Sequence, residues 1–426
     1  MSFLKDVFSM LNSNYNYAVL RNWEGLPDRC SSRDIDIILD RKSYKCVEKD
    51  IIEIAKKNTM MLIQRFKSER FNTLIFANAK RHEIIQLDFF FHCSFHGIIL
   101  MDTQTMLQER IIEDEIYHVD KAVEFLDKFL FNISCGEQYP EKYCKVKEEA
   151  KTNERVKKIL FEVFGCDNIE TIESEKTYSL RKKANAHSVH VSLINHVGNK
   201  IRFFGTNLKN WIFPQGISVG FTGADGVGKT TILNLLVDEL ETTFSSVDVF
   251  HFRPSVFANL GDALHDVGLK KEVDHDYNRP HRGGKTNVIS SLFRLLYYIA
   301  DYIIGYFRKI RHLIYRRHVV IFDRYYTDII TDSERSKIFL PIKFLKAMRI
   351  FVPKLRYNFL ITADENRIIM RKQELEIEEI DKIQANISKV GELNGYYLIN
   401  NNGSAEEALE EVLGIIYSGQ NSRYLR

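Results

Sequence analysis

Apolar residues recur along this chain in two rhythms, and the change from one to the other divides it. Within residues 1–135, short apolar or alternating runs at Tyr17–Leu20, Ile35–Leu39, Thr73–Phe76 and Ile84–Phe91 have the spacing of strands. Val47–Lys57 repeats at helical spacing. From 136 to 212 the pattern turns helical and charged, most clearly in KYCKVKEEAKTNERVKKILFEVF, and Trp211, Pro214 and Gly216 punctuate its end. Beyond that boundary, strand-like segments at Ile217–Phe221, Val247–Phe252, Val319–Phe322, Tyr357–Ile361 and Tyr396–Ile399 alternate with helical ones, the last near Ala405–Tyr417. Strands alternating with helices predict a doubly wound parallel sheet, with ligands gathered at the carboxyl ends of its strands. The predicted organisation is an α+β domain over 1–135, a helical connector over 136–212 and an α/β domain over 213–426, with a loose tail after Ser418.

Composition narrows the classes. A length of 426 residues calls for two or three cores, and 45% hydrophobic with 27% charged residues is a soluble globular balance. A net charge of +3 gives no bulk electrostatic reason to expect a nucleic-acid partner. The 6 cysteines are scattered without a C-x-x-C pair, which fits reduced thiols and a cytoplasmic protein, with neither a disulfide framework nor a zinc site. The opening MSFLKDVFSMLNSN has no apolar signal core. Leu292–Phe307 is apolar enough to raise the question of a membrane span. Arg294 and Asp301 interrupt it and the basic run Arg308–Arg317 follows, so a buried helix is the expectation, with interfacial contact to a lipid-linked substrate as the competing reading.

The chemistry concentrates after 217. Residues 217–231 read ISVGFTGADGVGKTT, a strand, a glycine-rich turn and a helix start, in which Gly223, Gly228, Lys229 and Thr230 fill G-x-x-x-x-G-K-[ST]. Glycines let backbone N–H groups close round a β-phosphate, and the helix start adds the positive end of its dipole. Lys229 can reach the β- and γ-phosphates and Thr230 can offer a hydroxyl to Mg²⁺, so the loop, including Asp225, Gly226 and Thr231, predicts nucleoside triphosphate binding. Downstream, VVIFDRYYTD delivers Asp323 and Arg324 at a strand end: a carboxylate for Mg²⁺ or an acceptor, and a guanidinium for a phosphate. The bland alternative is a strand-end ion pair.

With these residues the region 215–418 resembles the thymidylate kinase family of nucleoside monophosphate kinases. GADGVGKTT, HFRP at 251–254, FDRYY and the arginine-bearing ITADENRIIMRKQELEIEEI carry the resemblance. It implies ATP and Mg²⁺ as cofactors, Lys229 with Arg367 or Arg371 on the migrating phosphoryl group, Arg253 and Arg324 on the acceptor's phosphate, and Asp225 at an acceptor hydroxyl. A homodimer is among the implied states. The family's Ala-Tyr-Gln segment after DRYY is replaced by Thr327, Asp328 and IITDSERSKI, and its glycine-rich continuation after the Arg-Pro is missing. Pro280–His281, Asp301–Gly305 and Asp323–Tyr326 are similar to thymidylate kinase-like proteins linked to bacterial surface-polysaccharide synthesis, which widens the acceptor to a sugar or glycan. Tyr297, Tyr298, Tyr302 and Tyr306 could stack on such an acceptor or simply pack.

In the first half, SSRDIDIILD sets Asp34 and Asp36 on one strand face, and Asp88 follows on another apolar strand. Three carboxylates on adjacent strands suit divalent metals in nucleotidyl transfer, and the arrangement resembles the nucleotidyltransferase superfamily that includes polymerase β. VLRNWEGLP is similar to the sugar- or nucleotide-transfer branches, while the usual Gly-Ser pair is absent; Arg21 and Ser31–Ser32 stand in the region. His92 and His96 flank Cys93 without completing a ligand set. The expected function is an ATP- and Mg²⁺-dependent phosphotransferase acting on a nucleoside monophosphate or a sugar. The competing readings are a nucleotidyltransferase with a regulatory phosphate-loop domain, and a non-enzymatic NTP-dependent switch.

Overall fold

A computed structural model describes residues 2–30, 32, 34–257, 287–371 and 377–425. Ser31, Lys372, Glu374, Glu376 and the polar stretch 274–285 with Pro280–His281 lie outside the described residues. The chain forms two compact units, Met1–Phe213 with Tyr417–Arg426, and Pro214–Ile416.

The first unit contains β1 (Tyr17–Val19), β2 (Asp34–Leu39), β3 (Met61–Lys67), β4 (Phe71–Asn78), β5 (Glu83–Phe90), β6 (His92–Phe95), β7 (Ile98–Asp102), β8 (Ile111–Glu113) and β9 (Ile116–His118). Seven of them make a mixed sheet in the order β3-β4-β5-β2-β1-β9-β8, and β6 and β7 form a separate hairpin. One face packs against helices Ser2–Asn14 and Arg41–Lys57 through Phe3, Val7, Val47 and Ile51. On the other side, Ala18, Ile38 and Phe90 share a core with helix Lys121–Cys135 and with residues of the helical segment as far as Ala184. The charged block 142–164 splits into helices Cys144–Lys151 and Glu154–Phe164, because Asn153 caps the second by accepting from the Arg155 and Val156 N–H groups at 2.9 and 3.2 Å.

The second unit holds β10 (Ile217–Thr222), β11 (Val247–His251), β12 (Val319–Asp323), β13 (Tyr357–Thr362) and β14 (Tyr396–Asn400), all parallel in the order β11-β12-β10-β13-β14. Each expected strand is present, extended by one residue or shortened by one. β10 and β12 are neighbours in register, Phe221 beside Asp323, so the phosphate loop and the Asp-Arg pair leave the sheet at one place.

Two expectations change. The tail after Ser418 is helical, continuing Ala405–Leu425. Its Gln420 is fully buried and donates to the Ile63 carbonyl at 3.4 Å, and the Asn421 side chain accepts from Leu62 N–H at 3.0 Å. Those are groups of the edge strand β3, whose open hydrogen bonds give the tail a partner that nothing nearby in sequence announces. The apolar segment expected to be a buried helix is Val288–Gly305, followed by further helical turns to Tyr315. Leu295, Ile299, Asp301 and Tyr302 face the core, whereas Ile289, Phe293 and Leu296 are exposed. By length and composition alone Val288–Tyr315 is long and apolar enough to cross a membrane.

Candidate active site

The phosphate loop follows β10 because its glycines permit it. Gly226 and Gly228 have φ of 84° and 96°, a region that a side chain disfavours. A Cβ on Gly223 would lie 2.6 Å from the Ile361 carbonyl oxygen, so the loop also passes too close to β13 for any other residue. Gly228 precedes the helix Lys229–Glu241, whose first turn ends the loop. Asn401, just past β14, donates from Nδ2 to the Val227 carbonyl at 2.8 Å and is buried.

Lys229 is buried, and its Nζ donates to the Gly223 and Ala224 carbonyls, each at 2.7 Å. Burial and the nearby Arg324 lower its pKa to about 7, against the opposing pull of Asp225, Asp328 and Asp323. Arg324 occupies the left-handed backbone region at φ 72°. Its guanidinium pairs with Asp225 and, at 3.0 Å, with Asp328. Asp328 is itself buried and accepts from Thr222 Oγ1 at 2.9 Å and from Tyr325 N–H at 3.2 Å. Burial raises its pKa despite Arg324 and Lys229. A strained residue held by a buried carboxylate is over-determined by its surroundings, the pattern expected at functional sites. Asp225 also pairs with Arg335, and burial notwithstanding, Arg324, Lys229 and Arg335 hold its carboxyl far below the usual range. Burial pushes Asp323 up, but the bond from His251 at 3.2 Å, with Lys229 and Arg324, outweighs it and keeps the carboxyl below its ordinary value.

These groups line a cavity of about 590 Å³ walled by the phosphate loop, Asp323 and Arg324, with His251, Arg335 and Arg371 completing it. Of the residues singled out in the sequence, Asp225, Gly226, Gly228, Lys229, Thr230, Thr231, Asp323, Arg324 and Arg371 are brought together there. Gly223 contributes its carbonyl to Lys229 from just outside. Two arginines stand apart from the described lining. Arg253 is buried, pairs with Asp301 at 2.9 Å and lies over the Tyr298 ring. Arg367 donates to the Gly403 carbonyl at 3.4 Å. The tyrosines pack rather than line the cavity: Tyr302 is buried against Tyr325 and donates to the Phe252 carbonyl at 2.7 Å. No part in the site was expected of His251, Arg335, Asp328 or Asn401. His251 stood in the HFRP string and Asp328 and Arg335 in the segment that replaces the family's Ala-Tyr-Gln, whereas no signal marked Asn401.

Residues 221–398 match the family model of thymidylate kinase. The second unit is an α/β fold on a parallel sheet, and most of it is similar to thymidylate kinase. The match begins inside β10 and leaves everything before Phe221 outside it. A solved thymidylate kinase from Ehrlichia chaffeensis is similar at 17% identity and a TM-score of 0.32, over 48% of this chain and 100% of that one. A thymidylate kinase from Candida albicans, described as having broad substrate specificity, is similar at 17% identity and a TM-score of 0.35, over 48% and 93%. No curated protein sequence matches the chain.

In the first unit, β2 and β5 are parallel neighbours with Asp36 beside Asp88, and oxygens of Asp34, Asp36 and Asp88 lie within 4.8 Å of one another. Arg21 Nε donates to Asp36 at 2.6 Å. Burial raises the Asp36 pKa to about 6, Arg21 opposing it while Asp88 and Asp34 add to it. Arg21 also reaches the buried Asp127 at 3.5 Å, which Arg70 holds at 2.9 Å. His92 pairs with Glu69.

A polyphosphate beside Lys229 raises the lysine's pKa from its value near 7, so binding takes up a proton and weakens as pH climbs above 7. Titration calorimetry at pH 8 in buffers of different ionisation enthalpy should show uptake of about one proton per nucleotide, falling to roughly half at pH 7. Zero uptake at both values would mean that the lysine is already charged in the free protein.

Proposed function

We propose that the second unit is an ATP- and Mg²⁺-dependent phosphotransferase of nucleotide-kinase type, acting on a nucleoside monophosphate or, given the altered acceptor side, a phosphorylated sugar. The observation that carries this is the convergence of Lys229, Arg324, Arg335 and Arg371 with Asp225 and Asp323 round one cavity at the end of β10 and β12. Four cations round a pocket suit a substrate with several phosphates, because phosphoryl transfer needs positioning and charge stabilisation more than covalent chemistry. Lys229 and Arg371 would meet the migrating group, and Arg335 and Arg324 keep Asp225 ionised and oriented toward an acceptor. Mg²⁺, when bound with nucleotide, supplies further neutralisation of phosphate charge. Thr230 and Asp323 would hold it. Their fit rests on Asp323 Oδ1, a buried oxygen without a hydrogen-bond partner among the described residues, on a carboxylate kept ionised by its cationic neighbours. An acceptor screen with labelled ATP over nucleoside monophosphates, sugar phosphates and oligosaccharides tests the reading. Lys229-dependent label on a nucleotide supports a nucleotide kinase, and label confined to sugars redirects the assignment. A panel without any such label counts against the kinase.

A second reading has its own observation, the clustered Asp34, Asp36 and Asp88. The oxygen-only donor set suits a hard divalent cation, and a cation there would favour the ionised form of Asp36, which burial and, to a smaller extent, Asp88 and Asp34 disfavour. Under this reading the first unit resembles a nucleotidyltransferase and transfers a nucleotidyl group. Asp34→Asn with Asp36→Asn should then lower a Mn²⁺-dependent nucleotidyl transfer by roughly 10²-fold or more while sparing label transfer that depends on Lys229. Unchanged activity in every assay would leave the three carboxylates without a catalytic part.

A further inference from the structure

Helix Leu193–Ile212 in the first unit is built inside out. On a globular surface the apolar stripe of a helix faces the core and the polar side faces water. Here the inward face is polar: His196 and Asn199 are its buried residues. His196 Nδ1 meets Ser188 Oγ at 3.0 Å, Asn210 donates to the Lys67 carbonyl at 2.9 Å, and the Phe203 ring lies beside His96. The orientation is also fixed sterically at Gly97, where a Cβ would stand 2.9 Å from the Asn199 carbonyl oxygen. The outward face carries Ile194, Val197, Ile201, Phe204 and Leu208 at alternating spacings of three and four. Ile194 is 85% exposed, Ile201 68%, Phe204 67% and Leu208 58%. Trp211 continues the stripe and is about half exposed, at 53%.

The charges on this helix itself are all of one sign, although Glu69, in the turn between β3 and β4, lies close enough to act on Lys200. Between Glu175 and Asp225 the chain has no Asp or Glu, yet Arg181, Lys182, Lys183, Lys200, Arg202 and Lys209 fall within it. At 100° per residue, Lys200 borders one edge of the stripe, and Arg202 and Lys209 border the other. The spacing alone would suit a coiled coil with a second copy. The charges argue against it, since a second copy would set these cations beside each other with no acid on either helix to pair with them. The helix is also too polar on its inward side to span a bilayer.

We propose that this face docks on an anionic phospholipid surface, lying in the interface plane with Ile201, Phe204 and Leu208 among the acyl chains. Lys200, Arg202 and Lys209 would reach out to lipid phosphates along the two edges. Basic residues flanking an exposed stripe of aliphatic and aromatic side chains are the composition of an interfacial helix, and Trp211 has the side chain favoured at headgroup depth.

The test is sedimentation of the full chain with vesicles. Phosphatidylcholine containing about one-third phosphatidylglycerol should bind it at low salt, with loss of binding as salt rises and little binding to phosphatidylcholine alone. Changing Lys200, Arg202 and Lys209 together to Gln should weaken binding by roughly 100-fold, about five-fold for each charge. Ile201→Ser with Phe204→Ser should abolish it; both positions are exposed, and circular dichroism checks that the fold is kept. In a Trp23→Phe background, Trp211 emission should shift to the blue on anionic vesicles only. Absence of binding to the anionic vesicles overturns the proposal, as does binding that the Ser pair leaves intact. A dimer in light scattering that Ile201→Ser dissolves, with no vesicle binding, would assign the face to a second copy instead.

Discussion

Lys229→Ala should lower phosphoryl transfer by roughly 10³-fold or more while leaving the fold in place. The loss follows from where the lysine sits. It is buried at the base of a cavity that also holds Asp225, Asp323 and Arg324, where a positive charge facing phosphate is little screened by water. Removing it also removes the proton uptake expected on nucleotide binding. The fold should survive because, among the described residues, Nζ contacts only the loop's own carbonyls and Asp225, and the carboxylate keeps Arg324 and Arg335. Steady-state kinetics on the accepted substrate and a urea melt measure the two halves of this expectation. A variant with near-normal turnover would remove the phosphate loop from the chemistry and favour a regulatory role for bound nucleotide.

The second large effect is on stability. Asp301→Ala should destabilise the second unit by about 3–5 kcal/mol, the usual result of stripping the carboxylate from a buried ion pair. Asp301 is fully buried and accepts from Arg253 Nη1 at 2.9 Å and from the Val256 and Phe257 N–H groups at 2.9 and 2.8 Å. The substitution leaves a guanidinium and two backbone donors without that acceptor. Asp301→Asn keeps an oxygen for the N–H groups but not the charge, so it should fall between. Urea denaturation of the three proteins tests this, and a loss below 1 kcal/mol for the Ala variant would show that water or rearrangement replaces the carboxylate. The same pair bears on Arg253, which the family resemblance assigns to an acceptor phosphate. If it has that part as well as a structural one, Arg253→Met with Asp301→Asn, which keeps an oxygen for the Val256 and Phe257 N–H groups, should recover much of the stability while still raising KM for the acceptor.

Much of the second unit was legible because its signals are local. A buried parallel strand tends to a continuous apolar run; β12 is one up to Asp323, and β10 and β13 stay mostly apolar, broken by Ser218 and Gly220 and by Asn358. The phosphate loop was legible for a sharper reason, since only glycine tolerates the backbone at Gly226 and Gly228 and the approach of β13 at Gly223. The first unit was harder. β3 mixes Gln64, Arg65 and Lys67 into its run, and β8 and β9 are three residues each, too short to show a period. Helix Leu193–Ile212 was legible as a helix, but its apolar stripe gave no hint that it faces outward, because amphipathic spacing is the same whichever face is buried.

The sequence by itself determined the five described strands of the second unit to within a residue, the phosphate loop and the Asp-Arg pair at the end of β12. It also marked the three aspartates of the first unit as a cluster. These depend on hydrophobic period and backbone conformation, which neighbours in the chain dictate. Only the tertiary structure decided which cations reach the cavity. Arg335 arrives there to hold Asp225 and Arg371 joins the wall, while Arg253 turns to Asp301 and Arg367 to Gly403. It decided, too, that the last residues continue as helix with Gln420 and Asn421 on the edge of β3. An arginine anywhere in a sequence can satisfy any carboxylate, and an edge strand any donor or acceptor. Which pairing wins depends on distances between residues far apart in the chain, and those exist only once the two sheets are folded.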